Sequence, residues 1–182
     1  MKGYVLTVER VVAAPPDAIF DILADASRHH LIDGSGMLQG ANDTAPQRLA
    51  LGATFGMSMK MFVRYSTVNK VVEFEENRRI AWKTGPAGTI GKFVAGRVWG
   101  YELTPVESGT LVRESWDITG DHQRVLLKLG DIYSGKTRRD MERTLDRLSQ
   151  LVAHVASPGS PDTSGSSGSP GSSGSSGSSD PA

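Results

Sequence analysis

A glutamate lies on an otherwise apolar strand face in the second half of the chain. In GTLVRESWDI, the alternation of side chains places Glu114 on the same face as Val112, Trp116 and Ile118. A carboxylate costs free energy there unless it is paired. The default interpretation is therefore an ion pair with Arg97, or a bulge that turns the side chain outward. The functional alternative is a polar anchor, or an acid–base group with a raised pKa inside a pocket.

Bulky apolar side chains share single faces of the neighbouring predicted strands. Trp99 and Tyr101 alternate with smaller residues in GRVWGYELTP, as do four large side chains from Phe55 to Met61 in ATFGMSMKM. Such residues most often pack as core, but thioethers and indoles also suit a pocket for a flat or lipid-like guest. Glu114 and Tyr101 are the candidates for moving protons. The candidate ligand contacts are Phe55, Met57, Met59, Phe74, Trp82, Arg97, Trp99, Tyr101, Glu114, Trp116, Met141 and Leu145.

The segment GDIYSGKT, Gly130–Thr137, satisfies the phosphate-loop pattern G-x-x-x-x-G-K-[ST]. A phosphate loop needs a buried strand before it and several further parallel strands, and only one predicted helix follows Thr137. Asp131 would also place a negative charge beside a polyphosphate. The sequence therefore predicts no nucleotide site. It predicts two loop glycines instead, with Ser134 or Thr137 capping the last helix.

Histidines and carboxylates do not gather with the spacing of a metal site. His29 and His30 are adjacent, so on a helix they point about 100° apart, and Asp33 adds too few ligands for zinc. Helix-end packing is the better interpretation, and His122 and His154 are predicted to be solvated. The chain has no Cys, and no Ser-His-Asp ordering supports a hydrolase. The sequence predicts neither a metal nor a cofactor.

The elements that position these residues follow from periodicity and turn residues. In the last element, Met141, Leu145, Leu148, Val152 and Val155 are spaced as one stripe of an amphipathic helix. The first predicted elements are a strand over 3–13, a helix from Pro15–Pro16 to about Asp25, a short helix SRHHLI capped by Ser27, a turn over 33–36 and a polar loop over 41–50. Strands follow within 53–118, with turns at ENRR and VESG and with Val72 and Phe74 on one face. The final helix is the last predicted element.

Composition separates residues 1–156 from a tail over 157–182 that contains only Ser, Gly, Pro, Asp, Thr and Ala. The first part has the size of one domain, and the tail is predicted to be disordered because it has no large apolar side chain to bury. All 20 Lys and Arg and 18 of the 20 Asp and Glu lie in residues 1–156, a net charge of +2 with neutral His. This near-neutral charge argues against a nucleic-acid partner.

The N-terminal segment carries charges where a signal peptide would need an unbroken apolar stretch, and no run of about 18 apolar residues predicts a membrane span. The expected compartment is the cytoplasm. A basic stripe of Lys136, Arg139, Arg143 and Arg147 is expected to be a solvated face, with transient contact with an anionic membrane as the alternative.

The chain resembles the polyketide cyclase/dehydrase and lipid-transport family of the START-like (SRPBCC), helix-grip superfamily. The resemblance covers roughly 1–155 and is carried by VERVVAAPPDAIFDILADASRHHLIDGSG, ENRRIAWKTG, WGYELTPVESGTLVRESWDI and MERTLDRLSQLV. It implies an α+β fold in which a curved antiparallel sheet of about six or seven strands wraps a long C-terminal helix. Two short helices would follow the first strand, and an apolar cavity would lie between sheet and helix.

Three hypotheses of function follow. The first is binding of a hydrophobic lipid or aromatic small molecule in that cavity, with Leu126, Leu127 and Leu129 near its entrance. The second is aromatase/cyclase-like chemistry, in which Glu114 or Tyr101 moves protons. The third is a non-catalytic, toxin-like or protein-interaction role.

Overall fold

The computed structural model describes residues 4–41, 48–60, 63–87 and 96–156. The predicted tail over 157–182 and the side chain of Met61 lie outside these residues. The described elements are β1 (Val5–Val12), α1 (Pro16–Leu23), a 3₁₀ turn (Ala26–Arg28), α2 (His29–Ile32), β2 (Leu38–Ala41), β3 (Thr54–Lys60), β4 (Arg64–Glu75), β5 (Arg79–Pro86), β6 (Arg97–Val106), β7 (Gly109–Asp117), α3 (Arg124–Ser134) and α4 (Lys136–Ala156).

The described strands form one curled antiparallel sheet in the order β1-β7-β6-β5-β4-β3-β2. Each strand from β2 to β6 pairs with the next one along the chain, and β1 pairs with β7 at the edge of the sheet. The predicted α+β class, the sheet of six or seven strands and the two short helices after the first strand are confirmed. β2, which lies partly in the stretch that the sequence predicted as a polar loop, was missed.

A bulge in β4 corrects one predicted face. The pairing with β5 shifts register between Val71 and Glu73, so the strict alternation along β4 is broken there. As a result Val71 is buried, whereas Val72, predicted to share a face with Phe74, is 40% exposed. A bulge of this kind locally bends the strand and increases its twist.

α1 buries its predicted apolar face, but the 3₁₀ turn that follows it has a different N-cap residue from the one predicted. Ile19 and Phe20 of α1 are fully buried, and Pro16 occupies the first helical turn, where its missing N–H costs nothing. The predicted cap at Ser27 is wrong, because the side chain of Asp25 accepts the hydrogen bond from the Ser27 N–H at 2.9 Å. The carboxylate of Asp25, two residues earlier, satisfies this free backbone donor.

The stretch that matched the phosphate-loop pattern is a helix, a tight turn and a second helix. Gly130 lies inside α3, so the prediction that it is a loop residue is wrong. Gly135 ends α3 in the left-handed conformation at φ 56°, where glycine carries no Cβ penalty. The Ser134 hydroxyl accepts from the Lys136 N–H, and Asp131 accepts from the Thr137 N–H. No strand leads into this segment, which is the context that a phosphate loop requires.

The last helix lies against only part of the sheet. Four members of its predicted stripe, from Met141 to Val152, are at most 3% exposed, but Val155 near the helix end is 55% exposed. α4 contacts β1, β7 and α2. Part of the inward face of β3 to β6 therefore borders an open space rather than this helix.

Candidate functional site

A cavity of about 720 Å³ lies between the sheet, α2, α3 and α4. Its volume lies within the range of pockets that hold small organic molecules. The sheet contributes inward side chains from β3 to β7, among them Met57, Thr67, Trp82 and Tyr101, and α4 contributes Met141. The alternation of each strand positions these residues, because every second side chain points to the concave face.

Aromatic rings form one wall of the cavity. Trp82 stacks on His29 at 4.9 Å between ring centroids and also contacts Tyr101 at 5.7 Å. Further along the sheet, Trp99 and Trp116, directly opposite each other on β6 and β7, lie 6.0 Å apart. Flat rings in this arrangement present their faces and edges to a planar guest.

Most of the predicted contact residues line the cavity, and three do not. Phe55 packs behind Trp82 with its ring edge at 5.9 Å. Phe74 lies against Phe20 of α1 at 5.3 Å, on the side of the sheet that the helix covers. Leu145 is buried in the core one turn beyond Met141. The lining residues from that prediction are Met57, Met59, Trp82, Arg97, Trp99, Tyr101, Glu114, Trp116 and Met141.

Glu114 faces inward, as the alternation of β7 indicates, but its predicted partner is wrong. The two-residue turn between β6 and β7 sets a register that places Tyr101 directly opposite Glu114. The Tyr101 hydroxyl donates a hydrogen bond to Glu114 Oε1 at 2.9 Å. Arg97 lies further along β6 and pairs instead with the buried carboxylate of Asp121 at 3.1 Å.

Burial governs the acid–base state of this pair. Glu114 is 2% exposed, and desolvation raises the pKa of its carboxyl from 4.5 to about 8. The hydrogen bond from Tyr101 lowers that pKa, and the charge of Asp33 raises it. Desolvation, then the nearby Glu114, raises the pKa of Tyr101 well above 10. At neutral pH the site therefore contains a carboxylic acid and a phenol, both uncharged.

His29 was predicted as helix-end packing, and its place in the cavity was missed. It is 4% exposed and opens α2, with Nε2 at 2.8 Å from the Leu23 carbonyl oxygen. Since a carbonyl only accepts, Nε2 carries the proton and Nδ1 is a free acceptor. Burial lowers the pKa of His29 to about 4, so the ring is neutral. Within the described residues, no group of three or more His, Cys, Asp or Glu is arranged to hold a metal ion.

Three buried side-chain atoms in the described residues have no hydrogen-bond partner: Glu114 Oε2, Trp116 Nε1 and His29 Nδ1. All three belong to residues that line the cavity. Unpartnered buried polar atoms are rare in folded proteins because each one costs free energy. Their gathering around a single cavity indicates a place where a guest supplies the missing partners.

The exposed rim of the cavity lies beside α3. Leu126 and Leu127 line it, as predicted for the entrance, whereas Leu129 does not, because it lies on another side of the helix. Leu126 is 70% exposed. Two ion pairs border the same region, Arg97 with Asp121 and Lys136 with Asp140. None of the described helices is both long and apolar enough to cross a membrane.

Curated relatives match this chain over part of its length. An uncharacterized protein of Mycobacterium tuberculosis is 38% identical over 72 residues, which amount to 39% of this chain and 32% of that protein. The chain thus spans about a third of the length of the curated relatives it matches.

Solved structures share the fold at low sequence identity. A protein of Mycobacterium smegmatis superposes with a TM-score of 0.62 at 15% identity, over 85% of this chain and 98% of that one. A polyketide-cyclase-like protein of Corynebacterium glutamicum superposes with a TM-score of 0.53 at 22% identity, over 85% of this chain and 94% of that one. The family model described as polyketide cyclase/dehydrase and lipid transport matches residues 5–153. With its helix-grip fold and a match over most of its length, the chain belongs to this family.

Proposed function

We propose that the protein binds a flat, hydrophobic small molecule in the cavity between the sheet and α4. The observation that carries the proposal is a space of about 720 Å³ walled by Trp, Tyr and Met side chains, inside a family associated with hydrophobic ligands. Apolar surface removed from water contributes roughly 25 cal/mol per Å². Met57 and Met59 provide flexible thioethers that adapt to the outline of an irregular guest.

The first prediction concerns a variant whose larger side chain fills part of the cavity. Thr67 lies on β4 and lines the cavity, so the variant Thr67→Trp projects an indole into the space that a guest needs. We expect at least about a tenfold loss of affinity for the neutral dye Nile red, because a steric clash now opposes binding. Fluorescence titration of the dye with increasing protein measures the affinity.

The control is the same change on the outside of the sheet. Thr104 lies on β6, is exposed and is remote from the cavity lining. Thr104→Trp is expected to leave the affinity for Nile red unchanged. Equal affinities for the wild type and both variants would contradict the proposed site, and the absence of dye binding to the wild type would contradict the proposed function.

A second candidate function is acid–base chemistry on the bound guest. The observation that favours it is the uncharged Glu114 hydrogen-bonded to Tyr101 at the cavity wall, with a pKa of about 8. A group that titrates near neutral pH both gives and takes a proton readily, which is the requirement for general acid–base catalysis.

We further propose that guests enter and leave at an anionic membrane surface. α3 lies at the cavity rim and exposes an unusual number of large apolar side chains for a helix of eleven residues. The exposed set is Val125, Leu126, Leu129, Ile132 and Tyr133, each at least 47% exposed. Arg124 and Lys128 lie on the same helix, and basic residues beside an apolar face favour an anionic lipid surface.

The test uses vesicles. We expect wild-type protein to sediment with vesicles of phosphatidylglycerol and phosphatidylcholine and not with phosphatidylcholine alone. Ile132→Asp is expected to weaken vesicle binding by about tenfold, because it places a charge in the apolar face. Val106→Asp, at the exposed end of β6, is the matched control. Concentration-dependent dimerisation that Ile132→Asp abolishes, without vesicle binding, would show that a second copy covers this face instead.

A further inference from the structure

We infer that the cavity selects guests that are electrically neutral and carry a carbonyl-type oxygen, and that it discriminates against carboxylates such as fatty-acid anions. This inference rests on the proposed binding function and deepens it by naming the chemical class of the guest. The charges of the lining and the three unpartnered atoms support it.

No uncommitted cation lies among the described residues of the lining. The two basic side chains there are already paired, Arg97 with Asp121 and Lys136 with Asp140. The only lining histidine, His29, is buried. An anionic guest would lose its hydration in this apolar space without gaining a counter-ion, and that cost is large.

The acidic residues of the lining add to the discrimination. Asp33 accepts hydrogen bonds from Ser35 and from the Leu38 N–H, which fix it as a structural carboxylate. Asp131 accepts from Tyr4 and from the Thr137 N–H. These negative groups are satisfied by the protein, so they do not need a cationic guest, but their field disfavours a second anion nearby.

The unpartnered atoms define what a neutral guest must offer. Trp116 Nε1–H is a donor only, and protonated Glu114 offers a second donor at Oε2, because Oε1 accepts from Tyr101. His29 Nδ1 is an acceptor. The complement is a molecule with an acceptor oxygen for the two donors and, for tighter binding, a hydroxyl for the histidine. A pure hydrocarbon would leave all three atoms unsatisfied.

Three pyrene probes of nearly equal shape test the inference: acetylpyrene, pyrenecarboxylate and ethylpyrene. Their dissociation constants are measured at pH 7 by fluorescence anisotropy with the full-length protein. We expect acetylpyrene to bind about tenfold more tightly than ethylpyrene, because it satisfies buried donors, and more tightly still than pyrenecarboxylate.

Two variants identify the groups responsible. Trp116→Phe keeps an aromatic ring but removes the indole N–H, so it should weaken the binding of acetylpyrene about tenfold and that of ethylpyrene much less. Glu114→Gln retains a donor and an acceptor, so it should preserve the order of the three probes.

The outcomes separate the inference from the proposed function. Equal binding of the three probes, tighter binding of pyrenecarboxylate, or an equal effect of Trp116→Phe on all probes would overturn the inference and leave the binding function standing. Failure of every probe to bind would overturn both.

Discussion

Replacing Glu114 with glutamine is expected to raise the free energy of unfolding at pH 7 by about 3 kcal/mol, because a shift of one pKa unit corresponds to about 1.4 kcal/mol. The carboxyl has a pKa of about 8 in the folded protein and an ordinary value of 4.5. Folding at pH 7 therefore requires the uptake of a proton that the unfolded chain has already lost. Glutamine keeps the shape and the hydrogen bond from Tyr101 without that requirement.

The sign of the pH dependence follows from the direction of the shift. Below the ordinary pKa of 4.5 both states of the protein carry the proton, and Glu114 costs nothing. As the pH rises toward 8, only the folded protein holds the proton, so its stability falls by about 1.4 kcal/mol per unit. Above the folded pKa the loss is complete, since the buried carboxyl is then ionised.

Urea denaturation of the wild type and Glu114→Gln at several values between pH 4 and 9 measures this difference. Tyr101 acts on Glu114 through its hydrogen bond and Asp33 through its charge, and both residues are unchanged in the variant, so their own effects largely cancel in the comparison. Glu107→Gln, at an exposed position in the β6–β7 turn, is the control and should behave like the wild type. Parallel pH profiles for the wild type and Glu114→Gln would contradict the burial of an uncharged acid.

The same variant separates the two candidate functions. If Glu114 moves a proton on the guest, Glu114→Gln should abolish turnover of a reactive ketone substrate while it retains affinity for Nile red. Turnover that survives the change would remove Glu114 from any mechanism. In the wild type, ionisation of Glu114 above pH 8 should also weaken the binding of acetylpyrene, because the donor at Oε2 is lost.

Truncating Trp82 to alanine is expected to destabilise the fold by about 3–5 kcal/mol, the usual cost of removing a large aromatic side chain from a core. Trp82 is 7% exposed and contacts the rings of His29, Phe55 and Tyr101. The cavity already borders this residue, so the neighbours cannot close the gap and the packing energy is lost outright.

Trp99→Ala is the matched control for Trp82→Ala, because both side chains line the cavity from adjacent strands. Trp99 is only half-buried and contacts the single ring of Trp116 at 6.0 Å, so we expect a clearly smaller loss of stability. Chemical denaturation of both variants provides the measurement. A larger loss for Trp99→Ala would mean that the aromatic wall is not organised around Trp82.

The alternation of side chains correctly predicted which residues face inward on the regular strands. On β7, the step of two residues placed Val112, Glu114 and Trp116 on the buried face. Counting outward from the turn at VESG would also have paired Glu114 with Tyr101. Arg97 was wrongly predicted as the partner of Glu114, because the prediction used the inward direction of the side chains and not the pairing register of β6 with β7.

Features that depend on three-dimensional packing could not be predicted from the sequence. The bulge at Val71 carries no residue signature, so Val72 was placed on the face of Phe74. Phe74 was assigned to the cavity because the sequence does not show that Phe20 of α1 packs against it. His29 comes to the cavity because the short α2 packs against α4 and β2, and its stack on Trp82 joins residues far apart in the chain. Asp121 becomes the partner of Arg97 through the path of the loop before α3.

All three tryptophans of the chain, Trp82, Trp99 and Trp116, border the cavity. The intrinsic tryptophan fluorescence of this protein therefore comes from the cavity wall rather than from sites spread over the molecule. A guest that absorbs in the near ultraviolet will accept excitation energy from indoles it touches. Screening of compound libraries can then proceed on the unlabelled protein, with quenching as the signal and the natural residues as the sensor.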